Sequence, residues 1–142
     1  MKAQHYKNHT QIIPVYHFVV FPILFAAIIG AIVNVIKATE SNIYSASLIL
    51  VLSIVVMFIF FFARIFALKA QDRAIRAEEN FRHFMLTGKP LDPQLRLGQI
   101  IALRFASDEE MPVLAQKAMA EKMLPKDIKK AITMWRGDYH RV

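Results

Sequence analysis

Few side chains in this 142-residue chain have the type and spacing that metal binding or proton transfer requires. His5 and His9 are four residues apart and could share a metal ion if that stretch were helical. They lie in a short polar leader, however, so we expect no metal site there. The adjacent carboxylates Asp108, Glu109 and Glu110 could act as acids or bases, but acidic residues at a helix start explain them fully.

The motifs that carry enzyme chemistry are absent from the sequence. There is no phosphate-binding glycine loop, no HExxH zinc motif and no Gly-x-Ser-x-Gly nucleophile motif. The chain has no cysteine, which excludes disulfides, thiolate metal sites and cysteine nucleophiles, and it has only four glycines. We therefore expect a protein that is not an enzyme and that needs no cofactor.

Two long apolar segments dominate the first half of the chain. Residues 43–62 contain no charge, and residues 15–36 form a second segment of similar character. A helix of about twenty apolar residues matches the roughly 30 Å hydrocarbon core of a bilayer. Residues 15–36 are long for a secretion signal and no Ala-x-Ala site closes them. Both segments are therefore predicted to remain as membrane spans, joined by the short turn at residues 37–42.

Positive charges are distributed unevenly around these two segments. The leader carries Lys2 and Lys7, whereas the turn carries Lys37, which Glu40 offsets. Six basic residues follow the second segment: Arg64, Lys69, Arg73, Arg76, Arg82 and Lys89. Because basic segments stay on the cytoplasmic side, both termini are expected in the cytoplasm. The net charge of +7 then favours contact with anionic lipid over nucleic acid.

The first apolar segment also carries two polar side chains and several small ones. An ionisable group inside a membrane is a functional candidate, and His17 lies near the inner boundary of the segment. An interfacial histidine is the simpler interpretation, and Asn34 near the outer end could hydrogen-bond the turn. Small residues let helices approach closely, against either the second span or another subunit. They are Ala26, Ala27, Gly30 and Ala31.

The second segment is predicted to continue as one helix to residue 87, because no helix breaker interrupts it. Its polar half repeats apolar residues at spacings of three and four, which is typical of close helix contact. This predicted helix, residues 43–87, is called α2, and the set is called the α2 stripe. The stripe consists of Ala67, Ala70, Ala74, Ala77, Phe81 and Phe84. Packing against the chain's own C-terminal helices and docking or dimerisation are both open for it.

Three shorter helices are predicted after Gly88, a left-handed cap, and Pro90. The first covers about residues 93–105, and the second opens with a capping box at residues 107–110 and runs to about residue 122. The third begins at Pro125 as a first-turn proline. Its inward stripe is predicted to consist of Ile128, Ala131, Ile132, Trp135 and Tyr139.

Four basic residues are predicted to share the outer face of that third helix. They are Lys126, Lys129, Lys130 and Arg136. Such a face could rest against anionic headgroups, contact protein or RNA, or remain solvated. With Trp135 and Tyr139 near its edge, this face is the best candidate in the sequence for an interaction surface.

Several stretches resemble a known family. They are residues 66–80, 99–110 and 125–132, together with Tyr16, His17 and Phe18 at the start of the first span. The chain resembles an uncharacterised bacterial family of small two-span membrane proteins, a domain of unknown function found mainly in the Bacteroidota. The resemblance covers nearly the whole chain and implies a helical hairpin with cytoplasmic helices in the bacterial inner membrane. It implies no activity, ligand or site residue.

The sequence thus predicts an all-α protein built on a transmembrane hairpin. Its regions are a leader at 1–14, spans at 15–36 and 43–62, an extracytoplasmic turn at 37–42, a cytoplasmic stalk helix at 63–87 and a small helical region at 88–142. The leading hypothesis is an accessory or scaffold subunit of a larger inner-membrane complex, with membrane lipid and other subunits or itself as partners. The alternatives are a self-associating protein that binds anionic lipid through the basic helix, and an oligomeric transporter or channel component that uses His17 and Asn34.

Overall fold

The computed structural model describes residues 4–8 and 12–139. Over these residues the chain is all-α, as predicted, with two long helices followed by three short ones. The helices are α1 Val15–Ile36, α2 Ile43–Thr87, α3 Leu97–Leu103, α4 Met111–Ala120 and α5 Pro125–Ala131. The described residues form two compact units, a hairpin unit at residues 12–67 and a helical unit that contains residues 4–8 and 68–139.

Helix α1 changes its winding near Pro22. Its first part, Val15–Val20, is a π-helix, and its remainder, Phe21–Ile36, is α-helical. The N–H of Phe21 donates to the carbonyl of Tyr16, five residues earlier. Pro22 has no N–H to donate, so the regular α-helical ladder is interrupted where the winding changes.

Aromatic rings hold the two helices of the hairpin unit together at one end. The Tyr16 ring stacks on Phe60 with a centroid separation of 4.0 Å. The Tyr16 hydroxyl also donates to the Phe60 carbonyl at 3.2 Å. Towards the turn, Ala31 of α1 and Ala46 of α2 are buried, which suits a close approach of the two backbones.

The core of the helical unit lies among α3, α4 and α5. The largest fully buried side chains are Phe105, Leu103, Met111 and Ile128. A buried glutamine ties two of the helices together: Gln99 accepts from the Arg96 N–H at 2.8 Å and donates to the Met123 carbonyl at 2.9 Å. One side chain thereby caps the start of α3 and fixes the chain just after α4.

Helices α3 and α4 are shorter than predicted. Helix α3 begins at Leu97 because Asp92 closes a turn before it, accepting from the N–H of Gln94 at 2.8 Å. Helix α4 begins at Met111, after a turn in which the Ser107 hydroxyl accepts from the Glu110 N–H at 3.3 Å. Only half of the predicted capping box forms, since the Glu110 carboxylate accepts from Thr133 and Met134 instead.

The third short helix begins at Pro125 as predicted but ends at Ala131, so its continuation to Tyr139 was wrong. Ile132 has an extended backbone, and Trp135 pairs with Ala106 in an isolated antiparallel bridge. The Arg136 N–H donates to the Phe105 carbonyl at 2.7 Å. This pairing with a distant segment satisfies backbone groups that a longer helix would otherwise have used.

Candidate interaction surfaces

The part of α2 within the helical unit has one face that packs against its own unit. Ile75, Glu79 and His83 recur every four residues and are 6%, 7% and 9% exposed. Arg82, beside them, is mostly buried as well. These four residues form the inner face of α2. Since three of them are polar, the face depends on hydrogen bonds and ion pairs as much as on apolar contact.

Arg82 joins the inner face to the segment between α3 and α4. Its guanidinium lies 2.9 Å from the Glu79 carboxylate and 2.6 Å from that of Asp108. It also donates to the Ala106 carbonyl at 2.8 Å. Its carboxylate partner within α2 is Glu79, three residues earlier. Two carboxylates and a carbonyl thus satisfy a nearly buried cation.

The end of α2 is fixed by side chains from the same helix. His83 Nδ1 lies 2.8 Å from the Lys89 carbonyl, and the Asn80 side chain accepts from the Leu91 N–H at 2.9 Å. Gly88 has a φ of +73°, so it forms the left-handed cap that the sequence predicted. These contacts turn the chain back along the helix that precedes it.

The α2 stripe lies away from the inner face. Phe81 and Phe84 are 65% and 48% exposed, and Ala70, Ala74 and Ala77 are exposed as well. Ala67, which belongs to the hairpin unit, is partly buried. The chain's own C-terminal helices therefore do not cover the stripe. Of the two predicted alternatives for it, docking or dimerisation remains.

Charged residues border the exposed part of the stripe. Arg73 and Glu78 are both exposed and lie between its alanines. Glu78 is distinct from Glu79, which the inner face uses for Arg82. The stripe therefore combines an apolar centre with charges of both signs at its edges, an arrangement common at helix–helix interfaces.

The three adjacent carboxylates have separate structural partners. Asp108 pairs with Arg82, and Glu110 binds the backbone of residues 133 and 134. A hydrogen bond from the Ser107 hydroxyl, helped by the backbone N–H of Glu109, lowers the pKa of the Glu109 carboxyl below its ordinary value. In residues 4–8 and 12–139, no group of three or more histidine, aspartate and glutamate side chains is placed to hold a metal. His9, of the predicted histidine pair, lies outside the described residues.

The predicted basic face does not form on one helix. Lys126 and Lys130 are exposed on α5, and Lys130 lies 4.0 Å from Asp127. The Lys129 ammonium sits 5.4 Å from the centre of the Phe105 ring and is partly buried. Arg136 lies beyond the end of α5, with a nitrogen 4.0 Å from Asp108. The surface of α5 therefore presents fewer aligned cations than the sequence suggested.

The chain matches a protein family over its whole length. The model of a family of unknown function, DUF6526, matches residues 1–142. The chain belongs to this family. No curated protein and no solved structure matches the chain.

Both long helices of this DUF6526 member are long and apolar enough to cross a membrane. Only 6% of the most apolar window of each helix is buried. A core helix of a water-soluble protein would have most of that surface covered. The two helices are therefore candidate membrane spans, and they indicate a membrane protein.

The two candidate polar residues of α1, His17 and Asn34, lie near opposite ends of the helix. The His17 ring is partly buried, with Nδ1 2.9 Å from the Ile13 carbonyl, so a local backbone contact engages it. Asn34 is exposed near the other end of the helix. The sequence missed a third group: the Arg64 guanidinium lies 5.2 Å from the centre of the Tyr16 ring. A tyrosine and an arginine at the same boundary of two antiparallel spans were the available signal.

The predicted small-residue surface of α1 is open. Ala26, Ala27 and Gly30 are exposed, and a Cβ placed on Gly30 would meet nothing within 4 Å. Only Ala31 of that set is buried. The second span therefore does not cover the other three, and their contact with another subunit stays a prediction.

Proposed function

We propose that the chain is a non-enzymatic accessory or scaffold subunit of a larger protein complex in the bacterial inner membrane. Helices α1 and α2 anchor it, and its cytoplasmic helices make the contacts. The concentration of basic residues after residue 62 supports cytoplasmic termini. The observation that carries the proposal is the exposed α2 stripe, opposite a face that already holds the chain's own helices.

Exposed phenylalanines on one face of a water-compatible unit favour a partner. Phe81 and Phe84 lie one helical turn apart, and Met85 beside them is 67% exposed. Complete burial of one such side chain is worth about 1.5–3 kcal/mol. Single exposed apolar residues are ordinary, but a contiguous group on one helix face is typical of interaction sites.

The absence of catalytic motifs from the sequence also supports a non-enzymatic role. Its motifs provide neither a nucleophile with an adjacent base nor a phosphate-binding loop. The described carboxylates of residues 108–110 are engaged in structural contacts, as set out above. A role in holding other proteins accounts for the anchor and the open helix face together.

The proposal can be tested by gentle extraction from native membranes followed by native mass determination. We expect a complex whose mass is larger than that of the 16.3 kDa chain and is not a whole multiple of it, with other membrane proteins identified in it. The double variant Phe81→Glu with Phe84→Glu should release part or all of that complex. A chain that always emerges alone, as a monomer, would contradict the proposal.

A matched control is available on α4. Val113 is 69% exposed, yet it lies outside the α2 stripe. Val113→Glu should therefore leave the complex intact at the same expression level. If this variant and the stripe variant disrupt the complex equally, the effect is general loss of fold or insertion and the stripe is not the contact.

A further inference from the structure

We propose that the α2 stripe binds the same stripe of a second copy of this chain, as a parallel, in-register pair of helices. The inference deepens the proposed function, on which it rests for the membrane anchor. It identifies one partner of the cytoplasmic helices as the chain itself.

The spacing of the exposed residues defines a coiled-coil register. In heptad notation, Ala74 and Phe81 occupy a positions, while Ala70, Ala77 and Phe84 occupy d positions. Ile75, Glu79 and His83, which are buried in the chain's own unit, then occupy b, f and c positions. These three buried residues and the stripe therefore lie on opposite sides of α2.

The charges at the borders select a second copy in parallel orientation. In this register Arg73 is a g position and Glu78 is the e position of the next heptad. In a parallel pair, a g residue faces the following e residue of the other helix. Arg73 of each copy would therefore meet Glu78 of the other, giving two opposite-charge pairs. In an aligned antiparallel pair, g faces g and e faces e, so the same residues would meet like charges.

The anchor imposes the same direction independently. Helix α2 contains a candidate membrane span and continues without interruption to Thr87. Two copies inserted in one membrane with the same topology present this part of α2 in the same direction. Orientation by the anchor and orientation by charge thus agree.

The contact is self-complementary. A two-fold axis between the helices places the Phe81 side chains against each other, and likewise the Phe84 side chains. Alanine at positions 70, 74 and 77 allows the backbones to approach closely over the remaining length. Because each copy offers one stripe, the contact closes at two chains.

Cysteine cross-linking of the full chain in lipid vesicles tests this geometry. The chain contains no cysteine, so an introduced thiol is its only one. Equivalent d positions of an in-register pair come within the roughly 4.4–6.8 Å Cα separation that a disulfide accepts. Ala77→Cys should therefore form a dimer on mild oxidation. Arg76→Cys, one residue away at an outward c position and also exposed, is the matched control.

Charge reversal tests the choice of partner. Arg73→Glu and Glu78→Arg, each alone, replace two attractive pairs by two repulsive ones and should weaken dimerisation about tenfold. The combined variant restores opposite charges and should recover cross-linking of Ala77→Cys. Equal cross-linking of Ala77→Cys and Arg76→Cys, or no response to charge reversal, would overturn the inference.

The outcomes separate this inference from the proposed function. A chain that fails to cross-link through Ala77→Cys but still co-purifies with other membrane proteins overturns the dimer and leaves the accessory role standing. A chain that cross-links as expected but recovers no other protein supports the dimer and removes the accessory role.

Discussion

The hairpin unit and the helical unit place their large apolar side chains in opposite environments. In the hairpin unit, Phe18, Phe25 and Phe58 are exposed, while the buried apolar residues are the alanines at 31 and 46. In the helical unit, Phe105 and Leu103 are completely buried. The first pattern suits a structure surrounded by lipid, where small residues mediate helix contact. The second is that of a domain surrounded by water.

The α2 stripe is the exception within the helical unit. Its phenylalanines are as exposed as those of the hairpin unit, although its bordering residues are charged. Lipid accounts for the exposed aromatic residues in the spans, but a charged helix cannot lie in hydrocarbon. Two kinds of exposed apolar surface are thereby distinguished: one that suits lipid, and one for which we propose a protein partner.

The largest expected effect is the difference in stability loss when a phenylalanine is replaced by alanine in each unit. Phe105→Ala removes a ring from the closed core, where it lies 5.2 Å from the Trp135 ring. The loss should be about 3–5 kcal/mol of unfolding free energy, because both burial and packing are lost. Phe58→Ala, on the exposed surface of the hairpin unit, should change stability by no more than about 0.5 kcal/mol.

Denaturation of the full chain in mild detergent measures both variants. Trp135 is the single tryptophan and contacts Phe105 directly, so its fluorescence reports on the core of the helical unit. Because Phe105→Ala also alters that surrounding, circular dichroism should follow the same transition. Equal losses for the two variants would break the comparison, since the hairpin surface would then be packed like a core.

A smaller effect is expected from the polar inner face of α2. Arg82→Met should cost about 3 kcal/mol, because it leaves Glu79 buried without its cation. Adding Glu79→Met should recover part of that loss, since both charges are then gone. Lys130→Met, which removes a pair of half-exposed groups 4.0 Å apart, should cost less than about 0.5 kcal/mol.

Chemical denaturation of these variants determines whether ion pairs or apolar contacts stabilise the packing of α2 within its unit. If the double variant is no more stable than Arg82→Met alone, the loss does not come from an unpaired buried carboxylate. The contacts of Arg82 with Asp108 and the Ala106 carbonyl would then carry the stability.

Local signals were sufficient for the two long helices but not for the side of α2 that is buried. Charge-free runs located those helices, and Gly88 and Pro125 marked a cap and a helix start, because these effects act over a few residues. Apolar periodicity alone left both alternatives open for the stripe, packing within the chain or docking, and did not point to the opposite face. The structure instead buries Glu79 and His83, whose partners Arg82 and Lys89 satisfy them. Hydrophobic pattern cannot reveal a face that is held by polar contacts.

Long-range pairing limited the prediction of the C-terminal region. The repeat from Ile128 to Tyr139 continued the helical spacing, yet the backbone after Ala131 pairs with residues near Ala106. Such pairing depends on where α3 and α4 place that segment, which no local spacing encodes. Because the helix ends at Ala131, Arg136 does not lie on the basic face that the sequence predicted. The contribution of α5 to that candidate surface was therefore overestimated by sequence reasoning.

The smallest expected effect is a pH dependence at the turn before α4. The Ser107 hydroxyl is the main cause of the lowered pKa of Glu109, so the folded state binds a proton there less readily than the unfolded state. This contribution to stability is present above the unfolded pKa and is lost as the pH falls through the folded one. In Ser107→Ala the pKa of Glu109 should rise toward its ordinary value.

Carboxyl chemical shifts followed by NMR through an acid titration measure this change. Ser47→Ala is the control, because that hydroxyl donates to the Ile43 carbonyl within the hairpin unit and does not contact Glu109. The stability difference between Ser107→Ala and the unmodified chain should also shrink in acid, leaving the pH-independent loss of the bond to the Glu110 N–H. If the pKa of Glu109 is the same in both chains, the hydroxyl does not stabilise the carboxylate. The turn before α4 would then be held by the Glu110 contacts with residues 133 and 134 and by the ion pair between Arg82 and Asp108.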